Sequence, residues 1–366
     1  MYYFTKVVKV FLLGVILLLP EVIYAQGTFK GVNFKWGESI LHRSPEWYKS
    51  KEAKDIADNV LLYQSKYGAW PKNTDLSKKP DKEEFKKIEE KGEANTIDNN
   101  ATTRPMRFLA LMYDATGQKK YKESFLKGLD YLLESQYANG GWPQFYPLRK
   151  HGYYSEITYN DNAMMNVMFI LRDIAQKKAP FGFVDESHRE KSESAVEKGI
   201  DCILKTQVKQ NGRLTVWCAQ YDQNTLKPAW ARNFEPPSLS GEESVDIVRF
   251  LMEIPNPSPE VKAAIEGAVQ WFKDVQITGL AYHHKWGENG KPDAFVEADP
   301  DAAPLWARFY ELETDKPIFI GRDKVIHYKL NEIEQERRGG YAYYGRWPEQ
   351  LLAEDYPVWQ KKYGGK

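Results

Sequence analysis

Leu132-Leu133-Glu134-Ser135-Gln136, followed shortly by Gly140-Gly141-Trp142-Pro143, decides the fold because the chain repeats it. An earlier version reads Leu61-Leu62-Tyr63-Gln64, then Gly68-Ala69-Trp70-Pro71. A looser one reads Ile203-Leu204-Lys205-Thr206-Gln207, then Gly212 and Trp217. The three tryptophans lie 72 and 75 residues apart. That period accommodates two helices with their loops, and self-similarity at such spacing marks helical pairs stacked around a common core. Polar residues that recur in phase with it should share one face.

Apolar spacing predicts the pairs: 101–115 with 119–138, 161–177 with 188–210, and 242–254 with 258–276. A leading helix carries Ala53, Ile56, Ala57, Val60 and Leu61 on one face, and the Lys-rich stretch from Asp75 to Lys91 reads as a loop. Two regions lack helical periodicity: 215–232, and everything after about 279, which is interrupted by Pro300, Pro304, Pro317, Gly321, Gly339, Gly340 and Pro348. Long irregular segments on a rigid helical frame are where binding sites tend to be built.

Two acidic clusters open helices of the repeat. Thr96-Ile97-Asp98-Asn99-Asn100-Ala101 and Tyr159-Asn160-Asp161-Asn162-Ala163 are 63 residues apart, aspartate to aspartate. A third start is Ser240-Gly241-Glu242-Glu243-Ser244. One such cluster alone reads as helix capping; two in phase with a repeat point to a shared oxygen-rich site.

Composition narrows the function. The 366 residues are 42% hydrophobic, ample for a large core, and the continuous repeat favours one folded unit. Net charge is zero, so nothing suggests nucleic acid as a partner. The 11 Trp and 23 Tyr suit a sugar cleft as well as a core. Residues 1–25, with Lys6 and Lys9 ahead of an apolar run from Val10 to Leu19, read as a secretory signal, leaving 26–366 as a single exported domain. The mature chain has no further stretch apolar enough to anchor it, and a monomer suffices. Cys202 and Cys218 read equally as a disulfide or as two free thiols.

There is no HExxH, Walker loop or dinucleotide fingerprint, and no Ser-His-Asp order. The available hard ligands are Asp and Asn oxygens, which suit calcium better than zinc. Trp230-Ala231-Arg232 and Trp306-Ala307-Arg308 share a tripeptide, with Arg322, Arg337, Arg338 and Arg346 beyond. Each arginine alone reads as a surface ion pair; grouped in ordered loops beside tryptophans they can make bidentate contacts to substrate carboxylates.

Six runs then carry a resemblance. They are Thr96–Thr103, Gly140–Pro147, Tyr159–Met164, Val216–Gln220, Pro236–Gly241 and Leu305–Leu312. In this order they resemble a pectate lyase of polysaccharide lyase family 10, from about residue 30 to the end, departing at Asn100, where the family is expected to favour glycine. The resemblance implies a mainly α fold, an incomplete (α/α) toroid of helical hairpins with long irregular loops and few short strands. It also implies calcium-dependent anti β-elimination on α-1,4-polygalacturonate by an enzyme exported to the periplasm or medium. On this chain it makes Arg232 the base and Asp98, Asn99 and Asp161 the calcium ligands. Arg308 and Arg322 become clamps on substrate carboxylates, with Lys227 and Asp222 as further substrate-binding candidates that read equally as surface residues. An arginine base needs a small neutral fraction, so an alkaline optimum is expected. Two competing readings are a glycoside hydrolase on a helical toroid, with Asp98 and Asp161 as acid and base, and a non-catalytic pectin-binding protein.

Overall fold

A computed structural model describes residues 36–364; the signal-peptide reading of 1–25 lies outside them. Short α1 (Pro45–Lys49) and α2 (Lys51–Leu62) lead, followed by α3 (Lys82–Glu90). Three hairpins follow: α4 (Thr103–Thr116) with α5 (Lys119–Glu134), α6 (Ala163–Ala175) with α7 (Glu186–Thr206), and α8 (Glu243–Met252) with α9 (Pro259–Asp274). Between successive hairpins α4 touches α6 and α6 touches α8, while α5 touches α7 and α7 touches α9. The result is an inner and an outer layer, α1 packing beside α4 and α2 beside α5. This is the incomplete (α/α) toroid of the sequence reading, its strands short and, among the described residues, never closed into a barrel.

The inner helices explain themselves by composition. On α6, Met164, Met165, Val167, Met168, Ile170, Leu171 and Ile174 have no exposed surface. A helix that apolar is stable only when neighbours cover most of its circumference. Each such side chain contributes roughly 1.5–3 kcal/mol when fully buried.

The repeated phrase is the joint between layers. Trp70, Trp142 and Trp217 donate their indole N–H to Val60, Leu132 and Ile203 respectively, each at 2.8 Å, in the last turns of α2, α5 and α7. The glutamines staple each turn to the next outer helix. Gln64 donates to the carbonyls of Gly68 and Ser124, Gln136 to those of Gly140 and Ala195, and Gln207 to those of Thr215 and Ala264. Gly68 and Gly140 are required by the same joint. Both have positive φ, and a Cβ would lie 2.2 Å from the Lys127 carbonyl and 1.9 Å from that of Lys198.

A fourth copy of the joint was hidden. Trp306 donates to the Phe272 carbonyl of α9 at 2.8 Å. Its distance from the helix is stretched by an antiparallel hairpin, Leu280–Trp286 paired with Pro292–Ala298, so no fixed period reveals it. Two shorter helices complete the chain, α10 (Gln335–Gly340) and α11 (Tyr356–Tyr363). The stretch read as a loop contains α3, whose N-terminus is capped by Asp81 accepting from the Glu84 N–H at 2.9 Å. Because α3 buries no residue and only Phe85 meets an aromatic neighbour, Tyr63, it has no apolar stripe to read. Cys202 and Cys218 are buried free thiols, not a disulfide.

Candidate active site

The inner helices begin at one end of the toroid, and their first turns build the site. Before α4, Asn99 and Asn100 have φ of 51° and 57°; before α6, Asp161 and Asn162 have φ of 52° and 57°. Two successive left-handed residues tolerate Gly, Asn or Asp and little else. That conformation explains why glycine is expected at Asn100 and why asparagine replaces it without changing the turn. It also corrects the register. By backbone, Asn99 matches Asp161 and Asp98 matches Asn160, so the two aspartates are not equivalent.

Their surroundings differ accordingly. Asp98 is buried and pairs with Lys72, while its Oδ2 accepts from Gln144 at 2.8 Å. Asn99 and Asp161 instead line one cleft of 510 Å³ together with Trp36, Asn73, Asp75 and Arg104. Lys72, Gln144 and Arg308 all stand two residues after a joint tryptophan, the position that turns a side chain toward the helix starts. That offset is a signal the sequence contained and the reading missed.

Arg308 is 5% exposed and sits at the centre of an ionic cluster. Its Nη2 is 3.0 Å from Asp161 Oδ1 and also pairs with Glu243, while its Nε is 3.1 Å from Glu242 Oε2. Three carboxylates surround one guanidinium, so the cluster is anionic when all are ionised. Burial, then the neighbouring Glu243 charge, pushes the Glu242 carboxyl up to about 8, against the pull of Arg308 and with further pushes from Asp161 and Asp246. This has a consequence for stability. The folded-state value lies above the ordinary 4.5, so the contribution is fully present below about 4.5 and is lost as pH rises toward about 8. In calcium-free buffer the melting temperature should therefore fall between these limits, and Glu242→Gln should flatten that slope; an unchanged slope in the variant would remove Glu242 as its source.

Beyond Arg308 further arginines gather around Phe234. Arg232 Nε donates to Glu235 Oε2 at 2.8 Å, and its Nη2 pairs with Glu235 Oε1. Glu235 is buried and also accepts from the Tyr341 hydroxyl at 3.1 Å. Burial pulls the Arg232 pKa down, but the hydrogen bonds and charge of Glu235 outweigh it and the net shift is upward. Phe234 is the hub of the cluster: Arg337 lies 3.7 Å from its ring centroid, and Arg232 and Arg322 each lie 5.1 Å away. Arg308 and Arg337 are both 4.7 Å from the Tyr341 ring.

Arg232, Arg308 and Arg322 thus come together, and Asn99 and Asp161 share a cleft beside them. Arg322 is exposed and reaches outward to Glu336, with Nε–Oε2 at 3.0 Å and Nη2–Oε1 at 2.7 Å. Asp222 caps its own turn, accepting from the Thr225 and Asn224 N–H groups at 2.7 and 3.1 Å. Lys227 closes that same turn, its carbonyl accepting from the Asp222 N–H at 2.9 Å, and its side chain is exposed. Glu235, Glu242, Glu243, Arg337 and Tyr341 were given no site role in the sequence, because all but Glu235 are far from Arg232 along the chain and meet the cluster through space.

A family model described as pectic acid lyase matches residues 64–352. The chain belongs to the pectic acid lyases. It is similar to a family 10 polysaccharide lyase from Cellvibrio cellulosa, at 35% identity and a TM-score of 0.74, over 87% of this chain and 95% of that one. A mutant of that lyase solved in complex with trigalacturonic acid gives 34% identity and the same TM-score, over 87% of this chain and 97% of the other. No curated protein matches. Membership in polysaccharide lyase family 10 agrees with the order of the six runs and with the toroid. Among the described residues no helix of this pectic acid lyase is long and apolar enough to cross a membrane.

Proposed function

We propose that this lyase is exported and cleaves α-1,4-polygalacturonate by calcium-dependent anti β-elimination, giving 4,5-unsaturated oligogalacturonides. The observation that carries the reading is the convergence of Arg232, Arg322 and Arg337 on Phe234 beside the Arg308 carboxylate cluster. The reaction removes the proton at C5, adjacent to the uronate carboxylate, and expels O4. That proton is weakly acidic because its removal places a second negative charge next to the first. Fixed cations around the carboxylate stabilise this charge as it develops, which lowers the barrier without any covalent nucleophile.

The residues fit calcium by donor chemistry. Asp98 Oδ1, Asn160 Oδ1 and Asn162 Oδ1 are buried oxygens without a hydrogen-bond partner among the described residues. Asp161, Glu242 and Glu243 carry more negative charge than Arg308 neutralises. Among the described residues no three Asp, Glu, His or Cys side chains are already gathered as a ready-made cage. That arrangement suits an ion held partly by amides and by the substrate's own carboxylates. Asp98, Asn99 and Asp161 remain the proposed ligands. Calcium held there supplies charge neutralisation at the uronate carboxylate.

Arg232 is the proposed base, and Arg308 and Arg322 are the proposed carboxylate clamps. Lys227 and Asp222 stand further out, on a turn of their own. The Arg232–Glu235 pair favours a second reading, in which Arg232 stays charged and holds the substrate carboxylate, because Glu235 makes the guanidinium harder to deprotonate. The reaction itself is tested by following the ultraviolet absorbance of unsaturated uronide from polygalacturonate. A rise that EDTA abolishes and added calcium restores supports the lyase. New reducing ends without absorbance would indicate hydrolysis, and binding with neither product would indicate a pectin-binding protein.

A further inference from the structure

Next to the cleft that Asn99 and Asp161 line is a smaller pocket of 290 Å³ that the reaction as proposed does not use. Its walls are Phe145, Tyr153 and Tyr154, its cations Lys72 and Arg149, and its only carboxylate among the described residues is Glu93 at the exposed rim. Arg149 is laid against the rings, its guanidinium 3.7 Å from the Phe145 centroid and 4.8 Å from that of Tyr154. One Arg149 nitrogen, Nη2, donates to the Lys91 carbonyl at 3.3 Å, whereas its buried Nε has no hydrogen-bond partner among the described residues. Lys72 Nζ lies 5.8 Å from the same Phe145 ring while pairing with Asp98.

The pocket adjoins the cleft through Pro71, Asn73 and Thr74, which line both. Burial raises the Tyr153 phenol pKa, and the group also feels Tyr154, Arg232, Glu235 and Asp98. We infer that the pocket is a remote subsite that takes the carboxylate of one further uronate unit of the polymer, with Arg149 as its principal donor. The chemistry is that of a uronate. A planar guanidinium matches a carboxylate, and the half-buried Tyr153 and Tyr154 rings match the apolar face of a sugar. The volume, at the lower edge of the roughly 300–1,000 Å³ typical of small-ligand sites, suits one unit rather than several. Stacking between rings fixes the guanidinium plane, so little entropy is lost when the ligand arrives.

This inference rests on a galacturonan substrate, and its test separates the two. Arg149→Ala and Arg149→Lys are compared with the unaltered enzyme on oligogalacturonates of increasing length, with binding measured separately by calorimetry. Arg149→Ala should lower kcat/KM about tenfold, through KM, once the oligomer is long enough to reach the pocket, the factor expected from one charge-assisted hydrogen bond. Shorter oligomers should be cleaved at the unaltered rate, and Arg149→Lys should recover only part of the loss. A loss equal at every length, or no loss at any, overturns the subsite. If the unaltered enzyme cleaves nothing but binds long oligomers, and Arg149→Ala weakens that binding alone, the subsite stands while the lyase reading fails. Absence of both cleavage and binding overturns both.

Discussion

Arg232→Ala is expected to reduce polygalacturonate cleavage by about 10³-fold, within the range for loss of a positioned general base, while binding of oligogalacturonate persists. The Arg232 side chain is 42% exposed, so its truncation leaves no cavity in the core. What it leaves is Glu235, buried and retaining, among the described residues, only the Tyr341 hydroxyl as a side-chain donor at 3.1 Å. The double variant Arg232→Ala with Glu235→Gln removes that stranded charge, and the loss of rate should remain. A near-normal rate in either variant excludes Arg232 from the chemistry. Arg232→Lys then separates base from clamp. An ammonium loses its proton about two pH units more readily than a guanidinium. If Arg232 is the base, the rising limb of kcat/KM against pH moves to lower pH in the lysine variant. If it only neutralises the substrate carboxylate, rate falls and the limb stays in place.

The Glu235 pair gives this experiment a direction. Glu235 holds the Arg232 proton more firmly, so the resting enzyme is poorly set for proton abstraction at neutral pH. Substrate that displaces Glu235 as the guanidinium's partner would carry its own carboxylate into the same position. Glu235 thus either competes with substrate or keeps the side chain aimed until it arrives. Both roles are consistent with the alkaline optimum expected of a guanidinium base.

Sequence exposed the frame better than the site, for physical reasons. Helical pairs announce themselves because burial imposes a period, and the tryptophan joint recurs because each copy must hydrogen-bond the helix before it. Trp306 makes the same bond and went unnoticed, since the inserted hairpin changes spacing without changing contact. The helix starts were found by residue type but misaligned by one position. Asp98 and Asp161 look equivalent as letters, whereas their backbone places Asp161 opposite Asn99. The arginines were legible as a group because they crowd the irregular segments. Their partners were not: Glu235 follows Arg232 by three residues, but Tyr341, Glu242 and Glu243 reach the cluster only through the closure of the toroid. Asn100 was the most informative departure, because an unusual letter at a left-handed position reports backbone geometry directly.

The largest stability effect should come from Arg308. Replacing it with alanine leaves Asp161, Glu242 and Glu243 without their shared cation, and breaking a buried ion pair in this way costs about 3–5 kcal/mol. For a chain of this size that corresponds to a fall in Tm on the order of 5 °C. The pH dependence distinguishes charge from packing. Without Arg308 the Glu242 carboxyl loses the charge that opposes its upward shift, so its folded-state pKa rises further above the unfolded one. Its contribution is then retained at low pH and lost as pH rises, so the variant should be close to the unaltered protein near pH 5 and far below it near pH 8. Arg308 also lies 4.7 Å from the Tyr341 ring, and loss of that contact would lower stability equally at every pH. A pH-independent loss would therefore identify Arg308 as a packing residue. A loss that deepens with pH, and that Glu242→Gln partly reverses, identifies it as the counter-ion that lets an acidic cluster exist at the mouth of the inner helices.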